Sequence, residues 1–280
     1  MTKRLSWFVL TMLAIGFLFL YGPIVSLVVF SFNESKLVTV WSGFSVKWYG
    51  ELARDDQVLS AAWLSLEVGA LSATLGAILG TIAGYALVRF RRFPGRVLFT
   101  GMVTSPLVMP EVITGLSLLL LFVAMEQAIG WPAGRGLLTI VLSHTTFTMA
   151  YVAVVMQSRL ASLDQSLEEA AQDLGARPLK VFFVITVPIV FPAILSGWLL
   201  SFTLSLDDLV TSSFVTGPGA TTLPMVIFSK VRLGLNPEIN ALATIIIALV
   251  GGGVIVASLL MSQQERRRQR DVQMAIAANQ

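Results

Sequence analysis

Glu169-Ala170-Ala171-Gln172-Asp173-Leu174-Gly175, then nine residues, then Ile185-Thr186-Val187-Pro188, form a polar stretch set between two strongly apolar segments. A helix-forming turn in that position is a loop at a membrane surface, so the segments flanking it decide the fold. The chain has 280 residues, 55% hydrophobic and 12% charged, with a mean hydropathy of +0.81. That balance excludes a water-soluble globule. Crossing a hydrocarbon core ~30 Å thick takes roughly 20 apolar residues. Six segments qualify, at about 7–31, 58–88, 97–125, 137–157, 189–215 and 239–262. The composition therefore predicts an all-α membrane protein: one transmembrane domain over 1–280, with a helix-turn-helix loop at 158–187 and a tail at 263–280.

The first segment is too long for a signal-peptide core and lacks a small-residue cleavage site, which predicts a retained helix. Basic residues set the orientation. With both termini cytoplasmic, thirteen lie inside, among them Lys3, Arg4, Arg89, Arg91, Arg92 and Arg96, and the tail run Arg266, Arg267, Arg268 and Arg270, against six outside. The positive-inside rule then makes 158–187 a cytoplasmic loop. The net charge of +3 and the basic tail suit anionic membrane lipid, and no nucleic-acid-binding pattern accompanies them. Cysteine is absent, which removes disulfide and thiolate chemistry. Trp41, Trp48 and Tyr49 in the external 32–57 segment fit an interfacial aromatic belt or a docking surface.

Within the loop, Ser166 and Glu169 are spaced for a capping box. Gly175 suits a left-handed helix end, and Pro178 the first turn of a second helix carrying Leu179, Phe182 and Phe183. The expected form is a helix, a sharp turn and another helix at the membrane surface, with Pro188 marking entry to the fifth span. An ordinary capped polar loop explains Ser166 and Glu169, but not the exposed aromatic side chains, since apolar surface rimmed by charge usually marks a binding site. No Gly-x-x-x-x-Gly-Lys-[Ser/Thr] phosphate loop occurs, so the chain does not itself cradle ATP. A nucleophile–base arrangement for catalysis is also missing.

By order and spacing, 169–188 resembles the EAA loop of binding-protein-dependent ABC-importer permeases: Glu-Ala-Ala, three residues, Gly, nine residues, Ile-x-Leu-Pro, with Val187 in place of Leu. The resemblance implies a non-catalytic inner-membrane subunit paired with a homologous permease, two copies of an ATP-binding subunit and a periplasmic binding protein. ATP and Mg would be bound by the ATPase partner, with no cofactor in this chain. It also implies that Glu169, Ala170, Ala171 and Gly175, with Phe182 and Phe183, contact the ATPase. Glu169 stays divided between cap and contact.

Carboxylates in apolar spans are costly, roughly 2.5–3.5 kcal/mol on translocon scales, and count as functional candidates. Glu111 follows Ser105-Pro106-Leu107-Val108-Met109-Pro110, where two prolines predict a kink or break. Counted along one helix, it falls near mid-depth. Asp207 and Asp208 interrupt the fifth span; about 100° apart on a helix, they are expected to do different jobs, one facing the lumen and one holding structure. Glu67 has alternative partners in Arg54 or a neighbouring subunit. His144 reads as a hydrogen-bonded packing residue rather than a proton relay. Gly69, Gly76, Gly80 and Gly84 form a helix-packing face.

Carboxylates and aromatic faces favour a cation pathway. Glu111, Asp207 and Asp208, with Trp198 and Phe202, are the candidates, and spans two to six carry no internal Lys or Arg. The blocks 201–210, 213–219, 236–244 and 32–52 look like those of bacterial polyamine permeases, and the last points to the putrescine type. This implies a polyamine-binding periplasmic partner. Spermidine permeases share the Ser-x-Asp-Asp and Asn-Ala-Leu-Ala-Thr blocks, so a spermidine-preferring or other small-solute importer is the alternative. An ion-coupled secondary transporter and a non-transporting scaffold are more distant readings.

Overall fold

A computed structural model describes residues 7–37, 40–90, 92–234, 237–252, 255 and 259. Lys3, Arg4, Arg91, the 266–270 basic run, the end of the sixth expected span and the 263–280 tail lie outside the described residues. Among the described residues, five helices are long and apolar enough to cross a membrane: Trp7–Phe30, Asp56–Arg89, Glu111–Ile129, Leu137–Ala161 and Pro178–Asp207. Pro237–Gly252 is a sixth, shorter apolar helix. The fold separates into two compact units, 56–228 and the flanking 1–55 with 229–280.

In the larger unit, α-helices are assigned in chain order after α1 (Trp7–Phe30) and α2 (Lys47–Leu52) of the smaller one: α3 (Asp56–Arg89), α4 (Arg96–Thr104), α5 (Glu111–Ile129), α6 (Leu137–Ala161), α7 (Ser166–Asp173), α8 (Pro178–Val181), α9 (Val187–Asp207) and α10 (Val210–Val215). The core is α3 laid against α6, with α9 on both. Small residues make this approach possible. A Cβ at Gly80 would lie 2.6 Å from the Val152 Cβ and 2.7 Å from the Met149 carbonyl oxygen. Gly76 and Gly84 meet Thr148 and Met156 as closely, and Gly197 of α9 faces Val152. Of the glycine face expected from sequence, Gly76, Gly80 and Gly84 form the α3–α6 seam while Gly69 packs under Phe202 of α9, the small-residue packing that lets helices associate in lipid.

The face α6 turns inward is polar: Thr139, Ser143, His144, Thr145 and Thr148 are buried. Ser143 and Thr145 donate to the carbonyls of Thr139 and Val141 one turn back, at 2.7 and 2.8 Å, so these hydroxyls are satisfied without water. Apolar clusters close the two ends of α6, around Phe122, Ile140 and Val215 at one and Met156, Leu160 and Val190 at the other.

Two expected spans are not continuous. The third, expected over 97–125, divides into α4, a single 3₁₀ turn at Ser105–Leu107, a non-helical step at residues 108–110, and α5. Pro106 and Pro110 lack the donors a continuous helix needs there. Glu111 consequently opens α5 rather than lying within one continuous helix. The fifth, expected over 189–215, ends as α9 at Asp207 and restarts as α10 at Val210, with Asp208 extended at φ −68°, ψ 118°.

In the smaller unit, residues 31–37 and 40–52 fold on Asn33. Its side chain donates to the Val40 carbonyl at 2.7 Å and accepts from the Ser42 N–H at 3.0 Å, while its own carbonyl accepts from the Trp48 indole at 2.7 Å. Trp48 is only 2% exposed, so it is a core residue and not part of an aromatic belt; Trp41 is exposed. Also in this unit, Lys230, near the end of α11 (Leu223–Leu233), binds Asp55 and, at 3.1 Å, Glu238 of α12 (Pro237–Gly252). Burial, the largest single influence, works against the Lys230 charge, but the bonds to the two carboxylates outweigh it and hold the ammonium above its ordinary range.

Candidate functional site

The two helix breaks meet. A cavity of about 200 Å³ is lined by Pro106, Met109 and Glu111 from the first break, and by residues 207–211 from the second. Phe147 and Tyr151 of α6 supply an aromatic wall, with Thr114 and Leu204 completing it. All three candidate carboxylates, Glu111, Asp207 and Asp208, therefore converge on one space, and among the described residues no lysine or arginine lines it. Irregular backbone at membrane depth persists where it lines such a cavity.

The carboxylates are not equivalent. Asp208 has a side chain 6% exposed. It accepts from the backbone N–H of Ser212 at 2.7 Å and of Thr211 at 3.2 Å, satisfying the open start of α10, and from His144 Nε2 at 3.1 Å. A carboxylate only accepts, so Nε2 carries the proton; in the neutral ring, Nδ1 then accepts from the Ser205 hydroxyl at 2.6 Å. The Ser212 hydroxyl lies 3.0 Å from Nε2. His144 is fully buried and acts as the packing residue expected of it, with Asp208 as its partner. Glu111 and Asp207 are exposed and have no hydrogen-bond or ion-pair partner among the described residues. The expected division between the neighbouring aspartates is thus visible: Asp208 holds the break together and Asp207 is open to the cavity.

Trp198 and Phe202 sit elsewhere. Their rings stack at 5.3 Å, the indole donates to Thr74 of α3 at 3.0 Å, and Phe202 covers Gly69. Neither lines the cavity. The aromatic wall comes from Phe147 and Tyr151, which sequence reasoning passed over; their four-residue spacing on one face of α6, one turn from His144, was the available signal.

The 158–187 loop departs from its expected form in three ways. First, the capping box does not form. Ser166 is the first residue of α7 and makes no side-chain cap; Asp164 accepts its N–H at 3.0 Å instead, and that bond holds the Asp164 carboxyl below its ordinary range. Second, no separate helix follows the turn. From Pro178, α8 passes through a π-helical turn, Phe182–Thr186, straight into α9. Pro188 falls within the first turn of α9 and interrupts nothing. Third, Phe182 is only partly exposed; it packs edge-on against Tyr85 of α3 at 4.9 Å.

The turn itself is as expected. Gly175 has φ +86°, and the bonds Gly175 N–H to Gln172 and Ala176 N–H to Ala171, at 2.8 and 3.0 Å, close the end of α7. Glu169, Ala170 and Gly175 are exposed and Ala171 partly so. Leu174 at 89%, Leu179 at 74% and Phe183 at 64% exposure form an apolar patch beside them.

Residues 76–270 match the family model of the binding-protein-dependent transport system inner membrane component. This is most of the chain. It belongs to that family. As an inner-membrane permease component it is 64% identical, over 97% of its length and 96% of the relative's, to the putrescine transport system permease protein PotI of Escherichia coli (strain K12). It is 42% identical over 82% of its length, and 85% of the relative's, to the spermidine/putrescine transport system permease protein PotC of the same organism. In fold it is similar to a bacterial ABC transporter involved in import of the acidic polysaccharide alginate, with a TM-score of 0.69, 16% identity, and coverage of 93% of this chain and 99% of that one. An amino acid ABC transporter crystallised with histidines matches with a TM-score of 0.52 at 18% identity, over 80% of this chain and all of that one. In this family member the EAA segment is α7 and its closing turn.

Sequence reasoning also missed Glu168. Of the adjacent glutamates it is the buried one, 4% exposed. Its carboxylate meets Arg89 at 2.8 and 3.0 Å and accepts from the Thr186 hydroxyl at 2.8 Å.

Proposed function

We propose that this chain is the permease subunit of an ATP-driven polyamine importer of the putrescine type. It forms half of the translocation pathway beside a homologous permease and works with two ATP-binding subunits and a periplasmic polyamine-binding protein. The observation that carries the reading is the cavity where Glu111, Asp207 and Asp208 converge with Phe147 and Tyr151, and where no lysine or arginine stands among the described lining residues. Ammonium groups pair with carboxylates and with aromatic faces. The likeness to permeases of putrescine and spermidine transport supports the same cargo class. The cavity is small beside drug-sized sites of ~300–1,000 Å³, which suits a slender cation. The fold likeness to an importer of acidic polysaccharide carries no weight on cargo, because the charge of the lining decides it.

The exposed surface of Glu169, Ala170, Ala171, Gly175 and Phe183, with Leu174 and Leu179, is the seat of the ATPase subunit. ATP and Mg are held by that partner. With both termini and this loop cytoplasmic, nucleotide-driven movement of α7 reaches the cavity through α9, whose break at residues 208–209 forms one wall. The test is reconstitution with the ATPase and binding protein in proteoliposomes, scoring uptake and ATP hydrolysis for putrescine, spermidine, amino acids and organic anions. Uptake of the diamine or triamine that requires ATP is the expected result. Uptake that persists without the ATPase and collapses with an ion gradient would replace this reading with a secondary transporter.

A further inference from the structure

We infer that Glu168 and Arg89, with Thr186, form a positioning pin through which displacement of α7 is delivered to the membrane-spanning helices. This rests on the reading of α7 as the element gripped by the ATPase, and goes beyond it by naming what α7 pulls on. Glu168 is the single buried residue of α7. Every other side chain on that helix is wholly or partly open to solvent, and the Gly175 turn ties α7 only to itself. Besides its packing on α8 and the π-helical turn, α7 thus reaches into its unit with one buried side chain, the Glu168 carboxylate.

That carboxylate is held from two directions. Arg89, at the last turn of α3, donates from an η nitrogen to one oxygen at 3.0 Å, and its Nε lies in ion-pair contact with the other at 2.8 Å, without hydrogen-bond alignment. Its second η nitrogen reaches the Leu160 carbonyl at the end of α6, at 3.5 Å. Thr186, in the π-helical turn leading into α9, donates to Glu168 at 2.8 Å. The side chains of the ion pair are 9% and 5% exposed. An apolar contact can slide by an ångström at little cost, whereas a buried ion pair held by directed hydrogen bonds from Arg89 and Thr186 has a narrow range of good geometry. Movement of α7 thus drags α3 at Arg89 and the start of α9 at Thr186 together. The π turn, a local widening of the helix that recurs at functional sites, sits where that pull enters α9. Glu169, about 100° around the helix, faces outward, so the adjacent glutamates serve the two sides of α7.

The experiment compares the wild-type transporter with Glu168→Ala and with the double variant Glu168→Ala/Arg89→Ala, all reconstituted with ATPase and binding protein. Removing Glu168 alone strands a buried guanidinium, which lowers the melting temperature whatever the role of the pair. Removing both charges relieves that penalty. A pin predicts that the double variant regains assembly and melting temperature toward wild type, yet moves several-fold less polyamine per ATP hydrolysed. It also predicts faster amide exchange across 166–175 in both variants of the assembled complex. A double variant with wild-type transport per ATP and wild-type exchange in that segment overturns the inference and leaves the pair as packing. The outcomes separate cleanly from the proposed function, which fails in the wild-type protein itself, by absence of ATP-driven polyamine uptake or of ATPase binding.

Discussion

Replacing Asp208 by alanine should destabilise the protein, while the same change at its neighbour Asp207 should not. Asp208 gives the start of α10 its acceptor, bonding the Ser212 and Thr211 N–H groups. Loss of a helix cap of this kind costs roughly 0.5–2 kcal/mol. It also holds the His144 Nε2 proton in a fully buried site, and a buried donor left without its partner costs roughly 1–3 kcal/mol. If the two effects add, the loss is roughly 1.5–5 kcal/mol; Ser212 Oγ, at 3.0 Å from Nε2, can recover part of it and favours the lower half. Asp207 is exposed and makes no such bonds, so its truncation should stay within ~0.5 kcal/mol. The assay is thermal melting of the purified complex beside polyamine uptake in proteoliposomes. Asp208→Ala should melt earlier, whereas Asp207→Ala should melt with wild type and transport poorly, having lost a carboxylate from the cavity. Equal melting of the two variants, or a shift at Asp207 alone, would refute the division of labour.

Other expectations follow from the same geometry. Glu111→Gln should leave melting unchanged and reduce uptake of cationic substrate several-fold; unchanged uptake would remove Glu111 from the pathway. Gly80→Ala places its methyl 2.6 Å from the Val152 Cβ and 2.7 Å from a carbonyl that cannot swing aside, so overpacking of ~1–3 kcal/mol should appear as a lower melting temperature. Gly175→Leu forces a branched side chain into φ +86°, a strain of ~1–2 kcal/mol. Co-purification of the ATPase subunit should weaken while membrane insertion, followed by fractionation, persists.

Much of this protein is legible in its sequence because the bilayer is a severe solvent. Long apolar runs have few alternatives to helices, which is why the spans at 7–31, 58–88 and 137–157 needed little revision. Gly175 and Pro178 also announce their roles, since backbone conformation there depends on the residue itself. The prolines around 106–110 gave warning of a break. The Asp207-Asp208 break had a weaker warning, an acidic pair in an apolar run, and was drawn as a continuous span.

Other features depend on partners distant along the chain. Which of Glu168 and Glu169 turns inward is set by Arg89, 79 residues away. That Phe147 and Tyr151, and not Trp198 and Phe202, wall the cavity depends on how α9 rotates against α3 and α6. Asp208 becomes a structural residue because His144, 64 residues earlier, meets it. The sequence by itself determined the membrane architecture, the EAA turn and the supply of acids, because solvent and local backbone preference act on short stretches. Only the tertiary structure decided which acids are spent on holding the fold and which stay open to the cavity, because a buried carboxylate takes its role from the donors that packing brings to it.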